Sequence, residues 1–353
     1  MNTMIKLSAF TKGSRAKLAG ATALFALAAV LPLHAQVSLT GVGATFPAPI
    51  YQKWFNDYQS VDSNVQINYQ AIGSGAGIGN ITQGVVDFGA SDGPMTDEQM
   101  AAYKQAHGFA ILHFPTVLGA AVPTYNIPGV TGSLKFTPEV LAGIYLGQIK
   151  KWNDSKLTQL NPGAHLPDLD IVVVHRSDGS GTTYIWTDYL SKVSPEWKSK
   201  VGRNTSVRWP AGLGGKGNDG VAGIIKGQKG SIGYVELIYA IKSHLDYGMI
   251  KNKSGKFVKA SLSSVTAAAA GVDMPADFRV SITDASGANA YPVSSFTWLL
   301  VPSQIKDPAK RKAMVGFLKW AVTKGQDEVE SLDYAKLPSA VVAKEESAIG
   351  NIK

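Results

Sequence analysis

Short strand-like segments alternate with amphipathic helical segments along this chain, and this alternation constrains its fold more than any other feature. VQINYQ (65 to 70) has the period of a half-buried strand, whereas IYQKWFNDYQ (50 to 59) places its apolar residues on one helical face. The second half repeats the pattern, with a buried strand at DIVVVHR (170 to 176) and then the helix TTYIWTDYLS (182 to 191). Alternating strands and helices predict an α/β protein with a parallel or mixed sheet.

Five further segments fit the same alternation. Thr96 and Thr137 each precede a helical segment that has acidic residues in its first turn, which indicates an N-cap. SIGYVEL (231 to 237) and SSFTWLLVP (294 to 302) are predicted strands, and AKRKAMVGFLKWAVT (309 to 323) is a predicted helix. A chain of 353 residues is long enough for about two domains built from these elements.

The first 35 residues have the composition of a secretory signal peptide. Four basic residues come first, namely Lys6, Lys12, Arg15 and Lys17. They precede an apolar segment at 18 to 33, which is shorter than the ~20 apolar residues of a membrane span. We expect cleavage after Ala35. Of the net charge of +8, +4 then remains, from 30 basic and 26 acidic residues. So small an excess does not indicate a nucleic-acid partner, and the basic residues near Lys310 are interpreted as a solvated helix face.

The chain contains no cysteine. This excludes disulfide bonds, thiolate metal sites and a lipid anchor on an N-terminal cysteine. The histidines after residue 35 lack the spacing of metal ligands, so no metal or other cofactor is predicted.

Three turns between a strand and a helix carry small hydrogen-bond donors. GVGATFPAP (41 to 49) places Thr45 and Phe46 before a helix, and the Gly-rich turn 73 to 79 places Ser74 before a short helix at 80 to 84. SDGSGTT (177 to 183) does the same with Ser180, Gly181 and Thr182. Glycine allows close approach of a ligand, and the N–H groups at a helix start attract anions. A serine or threonine at one such turn is usually only an N-cap, but three turns together indicate an anion site.

Two charged residues refine this interpretation. Arg176 ends its strand and carries a guanidinium that suits a tetrahedral oxyanion, while Asp178 is placed to orient it. Asp92 should repel an anion by about 4 kcal/mol at 4 Å and an effective dielectric constant of 20. That cost is tolerable only if the anion has a proton for Asp92 to accept. Phosphate has one near neutral pH and sulfate has none, so Asp92 predicts selection against sulfate.

The same residues lie in segments that resemble the substrate-binding proteins of bacterial phosphate ABC transporters. The match covers nearly the whole chain after residue 35, in the family's order, through these segments: GVGATFPAPIYQKW, YQAIGSGAGI, VVDFGASDGPM, LAGIYLGQIKKWND, HRSDGSGTTYIWTDYL, SVRWPAGLGGKGNDG and GSIGYVE. The resemblance implies a type II periplasmic binding-protein fold, with two α/β lobes joined by crossing hinge strands and the ligand in the cleft. We expect lobe 1 at 36–120 and 293–353 and lobe 2 at 121–292.

The resemblance also implies the site and the partners. The family's phosphate ligands fall on Thr45, the Phe46 backbone, Ser74, Asp92, Arg176, Ser180, Gly181 and Thr182, and Asp178 matches the residue that orients the arginine. Two positions depart from the family, since Gly75 stands where a second serine is common and His175 where another arginine is common. The implied protein is a periplasmic monomer, not an enzyme, that delivers phosphate to an inner-membrane ABC permease with its ATPase.

Other interpretations stay open at this point. A site for a different tetrahedral oxyanion fits the same donors. GKGNDG (215 to 220), with Glu236 further on, resembles a dinucleotide motif, although it follows an apparent loop at 209 to 212 and Asp219 could be an N-cap. His175, Asp178 and Ser180 have the residue types of a hydrolase triad, for a phosphoester for example, but they lie within one strand and turn, which disfavours the geometry.

Overall fold

The computed structural model describes residues 36–353, so the predicted signal peptide and its cleavage point lie outside the described residues. Within this range there are twelve strands: β1 Val37–Gly43, β2 Val65–Ala71, β3 Phe88–Ser91, β4 Ile111–Asn126, β5 Lys135–Phe136, β6 Val172–Arg176, β7 Leu213–Gly215, β8 Ser231–Glu236, β9 Asp246–Tyr247, β10 Met249–Lys251, β11 Phe257–Val258 and β12 Ser294–Pro302.

The same range contains twelve α-helices: α1 Ala48–Val61, α2 Ser74–Gln83, α3 Asp97–His107, α4 Pro138–Tyr145, α5 Ser155–Leu160, α6 Gly181–Val193, α7 Pro195–Lys200, α8 Gly217–Gly227, α9 Leu237–Lys242, α10 Leu262–Ala269, α11 Pro308–Val322 and α12 Ser339–Ile349. Two 3₁₀ turns, Lys324–Asp327 and Val329–Leu332, follow α11. None of the helices in this part of the chain combines the length and the apolar character needed to cross a bilayer.

The main sheet of the described residues is mixed and has nine strands. Its strand order is β2-β1-β3-β12-β4-β8-β6-β7, with β9 also paired to β4, and β5, β10 and β11 form a separate small sheet. The pairs among β1, β2 and β3 are parallel, as are those among β6, β7 and β8, whereas β12 and β4 run antiparallel to their neighbours. The predicted alternation of strands and helices is therefore confirmed.

Strand β4 connects the two parallel sets of strands. Its first part, up to Ala120, pairs with β12, and its remainder, from Ala121, pairs with β8. The register with β12 shifts between Thr297 and Trp298, which marks a β-bulge. Bulges bend a strand and redirect side chains. This bulge lies at Thr297, whose side chain is described with the candidate site below.

Most predicted element boundaries are confirmed, and two are wrong. Thr96 and Thr137 are N-caps, and β12 covers the predicted strand. However, α2 begins at Ser74, so its glycines are part of the helix rather than a turn before it. Helix α8 begins at Gly217 with Lys216 as N-cap, which places Asp219 in the first turn and not at the cap.

Glu345 of α12 is a buried acid without a partner. Its side chain is fully buried, and both carboxylate oxygens lack a hydrogen-bond partner. Burial therefore raises the pKa of Glu345 well above its ordinary value. Because the unfolded chain ionises at a lower pH than the folded one, this group lowers stability as pH rises above its unfolded pKa.

We expect Glu345→Met to raise the free energy of unfolding by about 1–3 kcal/mol at pH 8, because it removes an unpaired buried polar group. The gain should be clearly smaller near pH 4, where the carboxyl group is largely protonated in both states and the cost of burying a charge no longer applies. Urea denaturation at the two pH values measures it. The neighbouring exposed Glu346 provides the control, since Glu346→Met should change little at either pH. An equal gain at both pH values would contradict the ionisation argument.

Candidate functional site

The predicted donors lie at helix starts, although residues 74–79 are part of α2 and not a turn before it. Thr45 and Phe46 follow β1 and precede α1, while Ser74 is the first residue of α2. Ser180 is the N-cap of α6, and its hydroxyl oxygen accepts a hydrogen bond from the Thr183 N–H at 3.0 Å. The first N–H groups of a helix have no acceptor within the helix, so these turns present donors.

The starts of α2 and α6 meet each other in the fold. The Gly75 N–H donates to the Gly179 carbonyl at 2.8 Å. A Cβ built on Gly181 would lie less than 3.0 Å from Oδ2 of Asp92 and from Oγ of Ser74. Ser74, Asp92 and Gly181 are therefore close neighbours, although they come from distant parts of the sequence.

Arg176 and Asp178 form a two-point ion pair beside these helix starts. Arg176 Nε donates to Asp178 Oδ1 at 2.7 Å and Nη2 donates to Oδ2 at 2.5 Å. Burial alone would raise the pKa of Asp178, but the hydrogen bonds and charge of Arg176 outweigh burial, so this pKa lies below its ordinary value. The guanidinium is buried, and its remaining Nη1 donates to Thr182 Oγ1 at 3.4 Å. The predicted orienting role of Asp178 agrees with this geometry.

Asp92 has one satisfied and one unsatisfied oxygen. Thr297 Oγ1 donates to Oδ1 at 2.8 Å, and the backbone N–H of Asp92 donates to Ser74 Oγ at 3.2 Å. Oδ2 is buried and has no hydrogen-bond partner. Burial raises the pKa of Asp92 to about 7, although the hydrogen bond from Thr297 and the charge of Arg176 oppose the shift. Oδ2 therefore has no donor among the described residues.

The backbone around Thr45 and Phe46 is held by two buried tyrosines. The Tyr239 hydroxyl donates to the Thr45 carbonyl at 2.5 Å, and the Tyr334 hydroxyl donates to the Phe46 carbonyl at 2.6 Å. Both phenols are buried, and desolvation raises the pKa of each well above its ordinary value, so they remain donors. These two hydrogen bonds hold the backbone carbonyl groups of the turn between β1 and α1 in place.

Two residues next to the site were not predicted. Thr297 lies in β12 and reaches Asp92 across the sheet at the β-bulge. Asn218, the second residue of α8, donates from Nδ2 to Thr45 Oγ1 at 2.9 Å and to Thr182 Oγ1 at 3.3 Å. Nothing in the sequence near Thr297 indicates this contact. Asn218 lies within GKGNDG, and its neighbours in the sequence do not indicate that it contacts Thr45 and Thr182.

The two alternative motifs do not assemble their sites. The His175 ring stacks on Trp209 at 4.8 Å and Nδ1 contacts the Arg176 carbonyl, while Asp178 is engaged by Arg176, so Ser180 has neither as a partner. Residues 209–212 form a loop, as expected, but a short strand, β7, follows them and ends at Gly215, the first glycine of GKGNDG. However, the Gly217 N–H at the start of α8 donates to Asp178 Oδ1 at 3.0 Å. The carboxylate of Asp178 therefore occupies the place where a nucleotide phosphate would bind.

Glu236, the acidic residue of that motif, is buried, and its Oε2 caps α9 by accepting from the Ile238 N–H. It is therefore not available to a ribose. Among residues 36–353 no group of three or more His, Asp or Glu side chains is arranged to hold a metal ion.

Comparison with known proteins gives consistent matches. The profile of the PBP superfamily domain matches residues 32–324. The phosphate-binding protein PstS of Xylella fastidiosa strain Temecula1 is 45% identical over 88% of this chain and 84% of its own length. That of Pasteurella multocida is 46% identical over 87% of this chain and 88% of its own.

Solved structures share the fold at low sequence identity. A periplasmic phosphate-binding protein (PfluDING) bound with phosphate at pH 8.5 has a TM-score of 0.71 and 19% identity, covering 88% of this chain and 93% of its own. A phosphate ABC transporter substrate-binding protein with bound phosphate from Clostridium perfringens has a TM-score of 0.63 and 20% identity, covering 86% and 100%.

Proposed function

The chain belongs to the PstS phosphate-binding proteins of the PBP superfamily, and from this premise we propose that it binds inorganic phosphate and delivers it to an ABC permease. The donors are Thr45, the Phe46 backbone, Ser74, Arg176, Ser180, Gly181 and Thr182, with Asp92 as the acceptor and Asp178 holding Arg176. In this proposal the anion is bound by neutral hydroxyl and amide donors and by one buried guanidinium.

The observation that carries this proposal is the unpaired Oδ2 of Asp92. A buried carboxylate oxygen without a donor is costly, and here it lies among groups that donate to anions. A ligand that is an anion and also carries an O–H meets both requirements: its O–H donates to Asp92 Oδ2, and its other oxygens accept from the surrounding donors. Phosphate near neutral pH is such a ligand, whereas sulfate is an anion without a proton. The chemistry of the site therefore favours phosphate over other tetrahedral oxyanions that lack a proton.

The raised pKa of Asp92 makes the selectivity depend on pH. The phosphate dianion carries its own proton and can donate it to ionised Asp92. Sulfate can be accommodated only when Asp92 is protonated and donates. Because the pKa of Asp92 is raised to about 7, sulfate binding above that pH requires uptake of a proton, and linkage weakens it about tenfold per pH unit.

We expect the ratio of the sulfate Kd to the phosphate Kd to rise about tenfold per pH unit between about pH 7 and pH 9. Titration calorimetry with each anion on the purified protein measures both constants. Asp92→Asn should make sulfate affinity insensitive to pH and reduce the selectivity, because an amide can donate to sulfate at any pH. Asp168→Asn, in an exposed ion pair with Lys151, is the matched control.

Equal affinity for the two anions across this range would refute the role of Asp92. Unchanged selectivity in Asp92→Asn would favour a binding protein for a different oxyanion. No phosphate binding by the unchanged protein would refute the proposed function itself.

Delivery to a permease requires that the bound form differ from the free form. We propose that lobe 1 (36–120 and 293–353) and lobe 2 (121–292) close on the anion, because the donors come from both and act together only when closed. Two features support this division: β4 changes its partner between Ala120 and Ala121, and β12 begins at Ser294, opposite Ala120. Small-angle scattering should show a smaller radius of gyration with phosphate than without it.

We also propose that the protein is a binder and not an enzyme. It acts as a monomer in the periplasm, without a lipid anchor, and passes phosphate to an inner-membrane permease with its ATPase. The position of Ser180 supports this, since its hydroxyl oxygen caps α6 and no base contacts it. A phosphoester such as p-nitrophenyl phosphate should not be turned over. Hydrolysis that Ser180→Ala abolishes would overturn this part of the proposal.

A further inference from the structure

Asn218 joins the two sets of phosphate donors through its side-chain amide. It is fully buried, and its Nδ2 donates to Thr45 Oγ1 at 2.9 Å and to Thr182 Oγ1 at 3.3 Å. Its backbone N–H also donates to Thr45 Oγ1, at 3.3 Å. Thr45 comes from the predicted first lobe and Thr182 from the second, so one amide contacts hydroxyls on both sides of the proposed cleft.

The orientation of this amide is fixed by its other end. Oδ1 of Asn218 accepts a hydrogen bond from the Glu236 N–H at 2.9 Å. A backbone N–H can only donate, so the oxygen must face Glu236 and the NH₂ group must face the two threonines. The amide is therefore a donor to both hydroxyls.

These contacts decide the direction in which each threonine hydroxyl points its hydrogen. A hydroxyl has two acceptor lone pairs and one donor hydrogen. Thr45 Oγ1 accepts from the N–H and from Nδ2 of Asn218, and Thr182 Oγ1 accepts from Nδ2 of Asn218 and Nη1 of Arg176. With its lone pairs engaged, each hydroxyl can act toward a ligand only as a donor.

We propose that Asn218 is a positioning residue that commits the hydroxyls of Thr45 and Thr182 to donate to the bound anion. This inference rests on the proposed function and specifies how the site recognises its ligand. Without such a residue, a threonine hydroxyl could accept as well as donate and would not distinguish an anion oxygen from a ligand hydroxyl. With Asn218 in place, the hydroxyls of Thr45 and Thr182 can only donate to the ligand and cannot accept its proton. The ligand O–H is therefore directed to Asp92.

The sharpest test is Asn218→Asp, which preserves shape but replaces a donor by an acceptor. At pH 8 the ionised carboxylate should accept hydrogen bonds from both threonines, turn their hydrogens away from the ligand and repel it. We expect the phosphate Kd to rise about a hundredfold. Near pH 5, where the buried carboxyl carries a proton and can donate again, the ratio of variant to unchanged Kd should fall at least tenfold.

Asp92, Asp178, Glu236 and Arg176 also face this region. They are present in both proteins, so the ratio of the two Kd values at each pH isolates the introduced carboxyl.

Asn218→Leu is the comparison that separates positioning from packing. It fills a similar volume without a donor or an acceptor, so the threonines lose their orientation but are not turned away. We expect a loss of about tenfold that is the same at pH 5 and pH 8. Thermal unfolding of each ligand-free variant shows that it is folded before titration.

Three outcomes are informative. Binding by the unchanged protein, with a large loss in Asn218→Asp that recovers at low pH and a smaller, constant loss in Asn218→Leu, supports the proposal. Equal losses in the two variants with no dependence on pH would reduce Asn218 to a packing residue and overturn it. If the unchanged protein does not bind phosphate, the proposed function fails, which is distinguishable from failure of this inference.

Discussion

With methionine in place of Arg176, phosphate affinity should fall about a thousandfold or more. The substitution removes the buried guanidinium of the site and leaves Asp178 as an unpaired carboxylate close to an anionic ligand. Breaking a buried pair by removing one partner costs about 3–5 kcal/mol, and hydrogen bonds to charged groups contribute about 1.5–3 kcal/mol each. At 1.4 kcal/mol per tenfold change, about 4 kcal/mol already gives this factor. Titration calorimetry measures it.

A second variant separates charge from geometry at this position. Arg176→Lys keeps the positive charge but cannot make the two parallel bonds to Asp178, so we expect an intermediate loss of affinity. Arg311→Met, on an exposed face of α11, is the matched control and should bind like the unchanged protein. A folded Arg176→Met protein that binds phosphate within tenfold of the unchanged protein would show that the site lies elsewhere.

The contacts of the proposed site that could be predicted from the sequence are those between residues with a local signature. Ser180 is followed by a helix start, and Arg176 and Asp178 are two residues apart at the end of a strand, so their contact follows from short-range geometry. The resemblance then placed Thr45, Ser74 and Asp92 in the same site, and the structure brings these residues together. The fold class, an α/β binding protein of type II, is confirmed.

The parts that sequence reasoning missed depend on contacts between distant segments. Thr297 lies 205 positions after Asp92 in the chain, and its hydroxyl donates to Asp92 next to a β-bulge that no local sequence pattern predicts. Strand β4, which pairs with β12 and with β8 in the middle of the sheet, contains Pro115, Pro123 and Gly119 and so does not resemble a central strand. Asn218 was hidden because its role depends on which hydroxyls it meets and not on its neighbours in the sequence.

The net charge of the protein likewise does not locate the proposed anion site. An overall excess of basic residues says little about where an anion binds, because the proposed site contains one cation, paired to Asp178, and a second carboxylate at Asp92. The site's own side-chain charges therefore do not sum to a positive value. Affinity must come from directed neutral donors and helix N-termini, which are effective in a buried site where water does not compete.

Gly181→Ala should lower phosphate affinity several hundredfold while leaving the ligand-free protein as stable as before. A Cβ at this position would lie less than 3.0 Å from Asp92 Oδ2, from Asp92 Cβ and from Ser74 Oγ. Asp92 cannot easily move away, because Thr297 holds its Oδ1 and Ser74 contacts its backbone. The two lobes must then stay apart, and losing two hydrogen bonds to a charged ligand costs about 3–6 kcal/mol.

In the proposed open form, in which the two lobes stand apart, the added Cβ should not reach Asp92 or Ser74, so the stability of the ligand-free protein should not fall. Gly181 opens α6 and does not have a positive φ, so alanine fits its backbone and favours the helix. Gly223→Ala is the matched control, because Gly223 is also helical and a Cβ there would meet nothing within 4 Å. Calorimetric titration with phosphate and thermal unfolding without it should therefore separate the two variants by affinity and not by stability. If Gly181→Ala bound phosphate like Gly223→Ala, the starts of α2 and α6 would not need to meet for binding, and the proposed closure would be wrong.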